Sequence, residues 1–285
     1  MSHTSKIPPA KYATSDLPTD LEVGSLVFDS DTSEHKVFNG SSWDVVSGGG
    51  ESFGTATIVS SNASTYDQIQ GDITSSSGFS FNSSLKGLVI GTSCTSIGSY
   101  AFQFCTGLTG SLIIPDSVII IGNDAFSYCD GLTGSLTIPN SVTTIIGAAF
   151  NSCTGFNGPL TIGNSVTSIG GSAFNSCTGL TGSLTIPDSV TSIGSSAFYN
   201  CTGLTGLLTI GNSVTSIGSS AFNNCTGLTA VYTNTPASSF IGSGAFHSTT
   251  FTTIYTGPNA TGYTASFQGR TGLTISPWTN YPNIP

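Results

Sequence analysis

From about residue 88 onward, apolar positions recur along the chain in a fixed pattern. Leu136 and Ile138 alternate with polar neighbours, as do Leu184 and Ile186, and Leu112 and Ile114, with Ile113 between them, and Leu208 and Ile210, after Leu207, keep the same spacing. This period of two predicts a short strand with one buried face. A turn pair follows, written Pro115-Asp116, Pro139-Asn140 or Gly163-Asn164, residues that preset the backbone or relax it. A second short strand then carries Val118, Val166, Val190 or Val214 with an Ile after it, and a Gly leads into a turn. In that turn a Phe and a Cys three residues apart share one face.

The whole pattern recurs at one constant interval. Cysteines stand at Cys105, Cys129, Cys153, Cys177, Cys201 and Cys225, and Ala-Phe pairs place Phe102, Phe126, Phe150, Phe174, Phe198, Phe222 and Phe246 in the same register. One unit reads Ala-Phe-x-x-Cys-Thr-Gly-Leu-Thr-Gly-Ser-Leu-Thr-Ile-Pro-Asx-Ser-Val-Thr-Ser-Ile-Gly-x-x. No single unit can bury so small an apolar set, whereas stacked units merge their interiors into one core. The predicted fold is therefore mainly β: a solenoid of about seven 24-residue coils joined by short turns or single helical turns. At about 4.8 Å per coil, the stack is roughly 30–35 Å long. The Phe and Cys columns up to Cys225 are expected in the core, with Thr and Ser ladders facing outward.

The pattern Leu-Thr-x-x-Leu-Thr-Ile-Pro-Asp-Ser-Val-Thr-Ser-Ile-Gly-x-x-Ala-Phe-x-x-Cys resembles the BspA-like leucine-rich repeat family over residues 88–250. Two departures are the Gly-Ser before Leu-Thr-Ile and the doubled Ile145-Ile146. The resemblance implies a leucine-rich-repeat-type solenoid and the company of surface and secreted binding proteins, often adhesive, without catalytic residues.

An open stack exposes apolar faces and strand edges, so both ends need covers. Residues 52–87 are expected to form the N-terminal cap and 251–285, ending in the Pro-rich stretch from Trp278, the C-terminal one; Thr249 stands where a seventh repeat Cys would be. Residues 1–46 form a separate β-rich attachment segment followed by a Gly-rich linker, 47–51. Gly24–Phe28, Lys36–Phe38 and Trp43–Val46 read as strands joined by an acidic turn and by Asn39-Gly40. So small a meander must dock on something. Residues 8–46 resemble N-terminal segments of phage tail-fibre and other virion proteins, which implies an anchoring role for Val27, Phe28, Phe38 and Trp43.

Composition narrows the partners. Only 7% of residues are charged and the net charge is −9; solubility must come from hydroxyls and amides. Residues 1–51 hold eight acids and three lysines, while no Lys or Arg occurs between Lys86 and Arg270. A phosphate-binding surface needs several basic side chains together, so nucleic acid and anionic membrane are poor partners. The start of the chain, Met-Ser-His-Thr-Ser-Lys, has no apolar signal core, and no apolar run is long enough to span a bilayer.

Few residues carry reactive chemistry. Stacked cysteines with parallel side-chain vectors suit neither the disulfide dihedral nor, with only His3, His35 and His247 in the chain, a zinc tetrahedron; Cys94 joins them as small core packing. Asp29-x-Asp31-x-x-Glu34 has calcium-like spacing without the full ligand set and reads as a solvated turn. Asn82-Ser-Ser84 matches a glycosylation triplet. Asp116, Asp124, Asp130 and Asp188 sit at turns where capping explains them, and no Ser-His-Asp order stands out. No enzyme activity, cofactor or metal is expected. The two residues between Phe and Cys vary from coil to coil, and Phe104, Tyr128 and Tyr199 among them are the candidates for contact with a host-surface glycan or protein.

The expected function is therefore that of a virion structural protein. It is made in a host cytoplasm, held to other virion proteins by residues 1–46, and presents its solenoid outward as a homo-oligomer, a trimer by analogy. The alternative is a cell-surface adhesin of the BspA-like type.

Overall fold

The computed structural model describes residues 79–277, apart from 84, 235, 237–239, 265–266 and 269–270, together with the backbone of six strands before residue 79. Each coil carries one strand of a seven-stranded sheet, all neighbours parallel. Ile97, Ile121, Ile145, Ile169, Ile193, Ile217 and Ile241 are paired in register along it. The sequence repeat thus becomes a stack in which each residue lies against its counterpart one coil away. Among the described residues no helix occurs, so the predicted short turns are turns throughout.

The Leu-Thr-Ile segments build a second side. Leu136–Thr137 pairs with Leu160–Thr161, and a five-stranded parallel sheet follows: Gly182–Ile186, Leu204–Ile210, Leu228–Thr233, Thr253–Thr256 and Thr274–Pro277. Its core-facing column runs Leu184, Leu208, Val231, Ile254 and the partly buried Ile275, and after Leu208 every step is shorter in sequence than the repeat. The solenoid continues past the point where the sequence repeat fades, because strand pairing tolerates a change in turn length.

The third side is made of turns. Phe102, Phe126, Phe150, Phe174, Phe198 and Phe222 each donate their N–H to the Ala carbonyl one coil on, at 2.7–2.8 Å. Their rings form a continuous stack, with Phe126–Phe150 at 5.4 Å and 6° and Phe198–Phe222 at 5.2 Å and 2°. The adjoining Ala residues are buried beside them. At the far end Phe251 meets Phe246 edge-on at 5.8 Å and closes the column. At the near end Phe79 stacks on Phe102 at 5.7 Å, so the segment read as a cap supplies the first rung.

The polar ladders have a structural reason. Thr167, Thr191 and Thr215 each donate a hydroxyl to the carbonyl of the Thr one coil back, at 3.1–3.2 Å. Surface threonines therefore tie coils together without charge. In the coil with two isoleucines, Ile145 takes the core position and Ile146, 39% exposed, replaces the Gly that follows it elsewhere. Before the solenoid, Thr55–Ser60 pairs antiparallel with Leu85–Val89 and with Asp67–Gln70. Leu26–Asp29, Glu34–Phe38 and Trp43–Val46 form an antiparallel meander, with Lys11–Tyr12 parallel to its first strand. Val27, Phe28, Phe38 and Trp43 lie on those strands, and their side chains fall outside the described residues.

Candidate binding face

The turn side carries two left-handed residues per coil. One precedes the Ala-Phe pair (Tyr100, Asp124, Ala148, Ser172, Ser196, Ser220) and one precedes the Cys (Phe104, Tyr128, Ser152, Ser176, Asn200, Asn224), with φ between 51° and 62°. Apart from Ala148, each is the third residue of a turn closed by an i to i+3 bond, such as Ala101 N–H to Gly98 and Cys105 N–H to Phe102 at 3.3 and 3.1 Å. A positive φ at that place favours Gly or Asn, and any other residue costs about 1–2 kcal/mol. The conformation turns alternate N–H groups toward the next coil: Phe104 donates to Ser127 and Tyr128 to Asn151, both at 2.8 Å.

Three aromatic residues occupy the second of these columns in consecutive coils. Phe81, with φ 62°, holds the place in the first rung, ahead of Phe104 and Tyr128. Their rings stack at 4.8 Å and 18° for Phe81–Phe104 and at 4.5 Å and 9° for Phe104–Tyr128. Unlike the core stack this one faces solvent, Phe81 being 68% and Tyr128 42% exposed. Tyr100, 45% exposed, lies on the same side of the coil in the other left-handed column. Beyond Tyr128 the column turns polar. The Ser176 hydroxyl donates to Asn175 at 2.8 Å and the Asn224 amide to Asn200 at 2.7 Å.

Of the three residues singled out from sequence, the fold brings together Phe104 and Tyr128. Tyr199 follows Phe198 directly, at the place held by Gln103 and by the fully buried Ser127, three coils from Tyr128. It is 37% exposed and stands apart from the stack. Phe81 was missed because it lies one position closer to Phe104 than the repeat requires and is followed by Asn82 instead of Cys. The signal available was Phe79-x-Phe81, which matches Phe102-x-Phe104.

The cysteines are placed for structure. Cys129, Cys153, Cys177, Cys201 and Cys225 each donate their thiol at 3.0 Å to the Phe carbonyl one coil back. Burial pushes the Cys105 thiol up to about 11 and those of Cys177 and Cys225 up to about 12. A nucleophile or metal ligand needs the thiolate, so these groups are poised against both roles. Among the described residues no cluster of His, Cys, Asp and Glu could hold a metal, and no helix is long and apolar enough to cross a membrane. A shallow recess of about 290 Å³ lies between Asn164, Asp188, Asn212 and Tyr232. Burial and the Asp188 carboxylate push the Tyr232 phenol up. The Asp188 carboxylate itself accepts the Asn212 N–H at 2.7 Å, joining two coils.

Comparison with known proteins agrees with this architecture. The model of the BspA type leucine rich repeat region matches residues 72–158 and 157–274. A leucine-rich repeat protein of T. pallidum has 28% identity and a TM-score of 0.53, over 62% of this chain and 81% of that one. A leucine-rich cell surface protein of Faecalibacterium prausnitzii has 18% identity and a TM-score of 0.31, over 93% and 96% of the two chains. No curated protein matches. The family match begins at residue 72, which leaves the resemblance of residues 8–46 to virion proteins without support.

Proposed function

We propose that this chain, which belongs to the BspA-type leucine-rich repeat family, works as a non-enzymatic adhesive module at a cell surface. The supporting observation is the solvent-facing stack Phe81–Phe104–Tyr128. Exposed aromatic side chains in contiguous array are a mark of interaction sites, and later rungs show that the fold does not require them: Ser152 and Ser176 fill the same place. The family resemblance points to surface and secreted binding proteins. The virion reading draws on the resemblance of residues 8–46, which the family match does not reach, so the surface reading has the broader support.

The test replaces Phe81, Phe104 and Tyr128 with Ser and displays the full chain on cells. Attachment to surfaces coated with glycoproteins should fall roughly tenfold, the scale of losing one or two well-packed aromatic contacts. Undiminished attachment by a folded triple variant would remove the basis of this proposal.

A further inference from the structure

The exposed stack has one free end that the core stack lacks. Tyr128 meets Phe104 with one ring face, and among the described residues no ring covers the other, which looks along the solenoid toward the rung of Ser152. That rung and the next carry small side chains, Ser152 and Ser176, each half-buried. The space that an aromatic ring occupies in three successive coils is therefore vacant beside a ring face, one coil's rise from it.

We propose that this slot seats a terminal sugar ring of an uncharged glycan, stacked on Tyr128; the assignment rests on the adhesive reading above and names its partner. A pyranose presents C–H groups to an aromatic face and hydroxyls at its rim, and both find counterparts here. The ring face of Tyr128 closes one side. Around the slot lie hydroxyl and amide groups already oriented by mutual contacts: the Ser152 hydroxyl donates to Asn151 at 3.5 Å and the Ser176 hydroxyl to Asn175 at 2.8 Å. Charge selects against acidic sugars. No Lys or Arg stands between residues 86 and 270, and the same coil carries Asp124 and Asp130, so a sialylated or sulfated terminus meets repulsion and no cation. An aromatic side chain from a protein fits the slot less well, because a protein hot spot sits in a fully desolvated pocket and the half-buried Ser152 and Ser176 leave this place open to water.

The test uses the purified full chain and immobilised glycans with neutral hexose or N-acetylhexosamine termini, alongside their sialylated forms. Tyr128→Ser removes the platform. Ser152→Leu lays a branched aliphatic side chain against the open face of Tyr128 and offers no ring face of its own. Both should lower binding to neutral glycans roughly tenfold. Ser248→Leu, in the same left-handed column four coils beyond Ser152 and exposed, should leave binding unchanged. Free neutral monosaccharide should compete. The assignment is overturned if no neutral glycan binds, if sialylated termini are preferred, or if Ser152→Leu binds as well as wild type. If cell attachment depends on the aromatic stack but survives Ser152→Leu, the adhesive function stands and the sugar slot falls.

Discussion

The thiol of Cys129 lies 3.0 Å from the carbonyl oxygen of Phe102, one coil back, and donates a hydrogen bond to it. The same oxygen accepts the N–H of Cys105 at 3.1 Å, so each carbonyl in the column from Phe102 to Phe198 is held by two cysteines, one through its backbone and one through its side chain. A small apolar residue with a weak donor suits this place.

Cys153→Ala removes the second donor to the Phe126 carbonyl and leaves a cavity in a fully buried column. It should cost about 1–3 kcal/mol in urea unfolding. Cys153→Thr keeps volume and a donor, and the buried Thr249 shows that a hydroxyl at this place is satisfied within its own coil, by the Phe246 carbonyl at 2.6 Å, so this variant should cost less. A Thr variant weaker than the Ala variant would show that packing alone selects cysteine.

Stability should be flat through neutral pH and fall above pH 9. The thiols have an ordinary value of 9.0, raised by burial to about 11 at Cys105 and about 12 at Cys177 and Cys225. Above pH 9 the unfolded chain releases these protons while the folded chain keeps them, so stability declines with rising pH, by up to about 1.4 kcal/mol per pH unit for each thiol. Unfolding midpoints at pH 7, 9 and 10 measure this, and a Cys177→Ala, Cys225→Ala double variant should show the shallower slope.

Phe174→Ala deletes a ring that stacks on Phe150 at 5.4 Å and on Phe198 at 5.1 Å. The loss should be about 3–5 kcal/mol, and because coils contact only their neighbours, the break should split unfolding into two transitions. A single transition with unchanged denaturant dependence would argue against coil-by-coil coupling.

Ala148 holds φ at 54° without a polar side chain to favour it. Ala148→Gly should therefore stabilise the chain by about 0.5–1 kcal/mol, relief of the left-handed strain exceeding the entropy that glycine adds to the unfolded state. A lower melting temperature for this variant would contradict the strain.

The repeat made most of the fold legible. An invariant spacing from Phe102 to Phe246 places equivalent residues one above another whatever the coil's detailed path, so the Phe and Cys columns and the short strands could be read without coordinates. Where spacing changed, the pattern was harder to read: Phe79 and Phe81 stand one position nearer to Phe102 and Phe104 than the repeat requires, and only the structure shows that their rings begin both stacks.

What the linear order decided was periodicity, and through it the solenoid, because a regular interval of apolar side chains has one economical way to leave water. What it left open was direction. Phe104 and Tyr199 both occupy the variable pair between Phe and Cys, yet one sits at the left-handed position that throws side chains into an exposed column and the other beside it. Only the turn geometry, set by hydrogen bonds to the next coil, separates these two places. The same geometry sets Phe81, Phe104 and Tyr128 ring on ring and leaves the last ring with an open face.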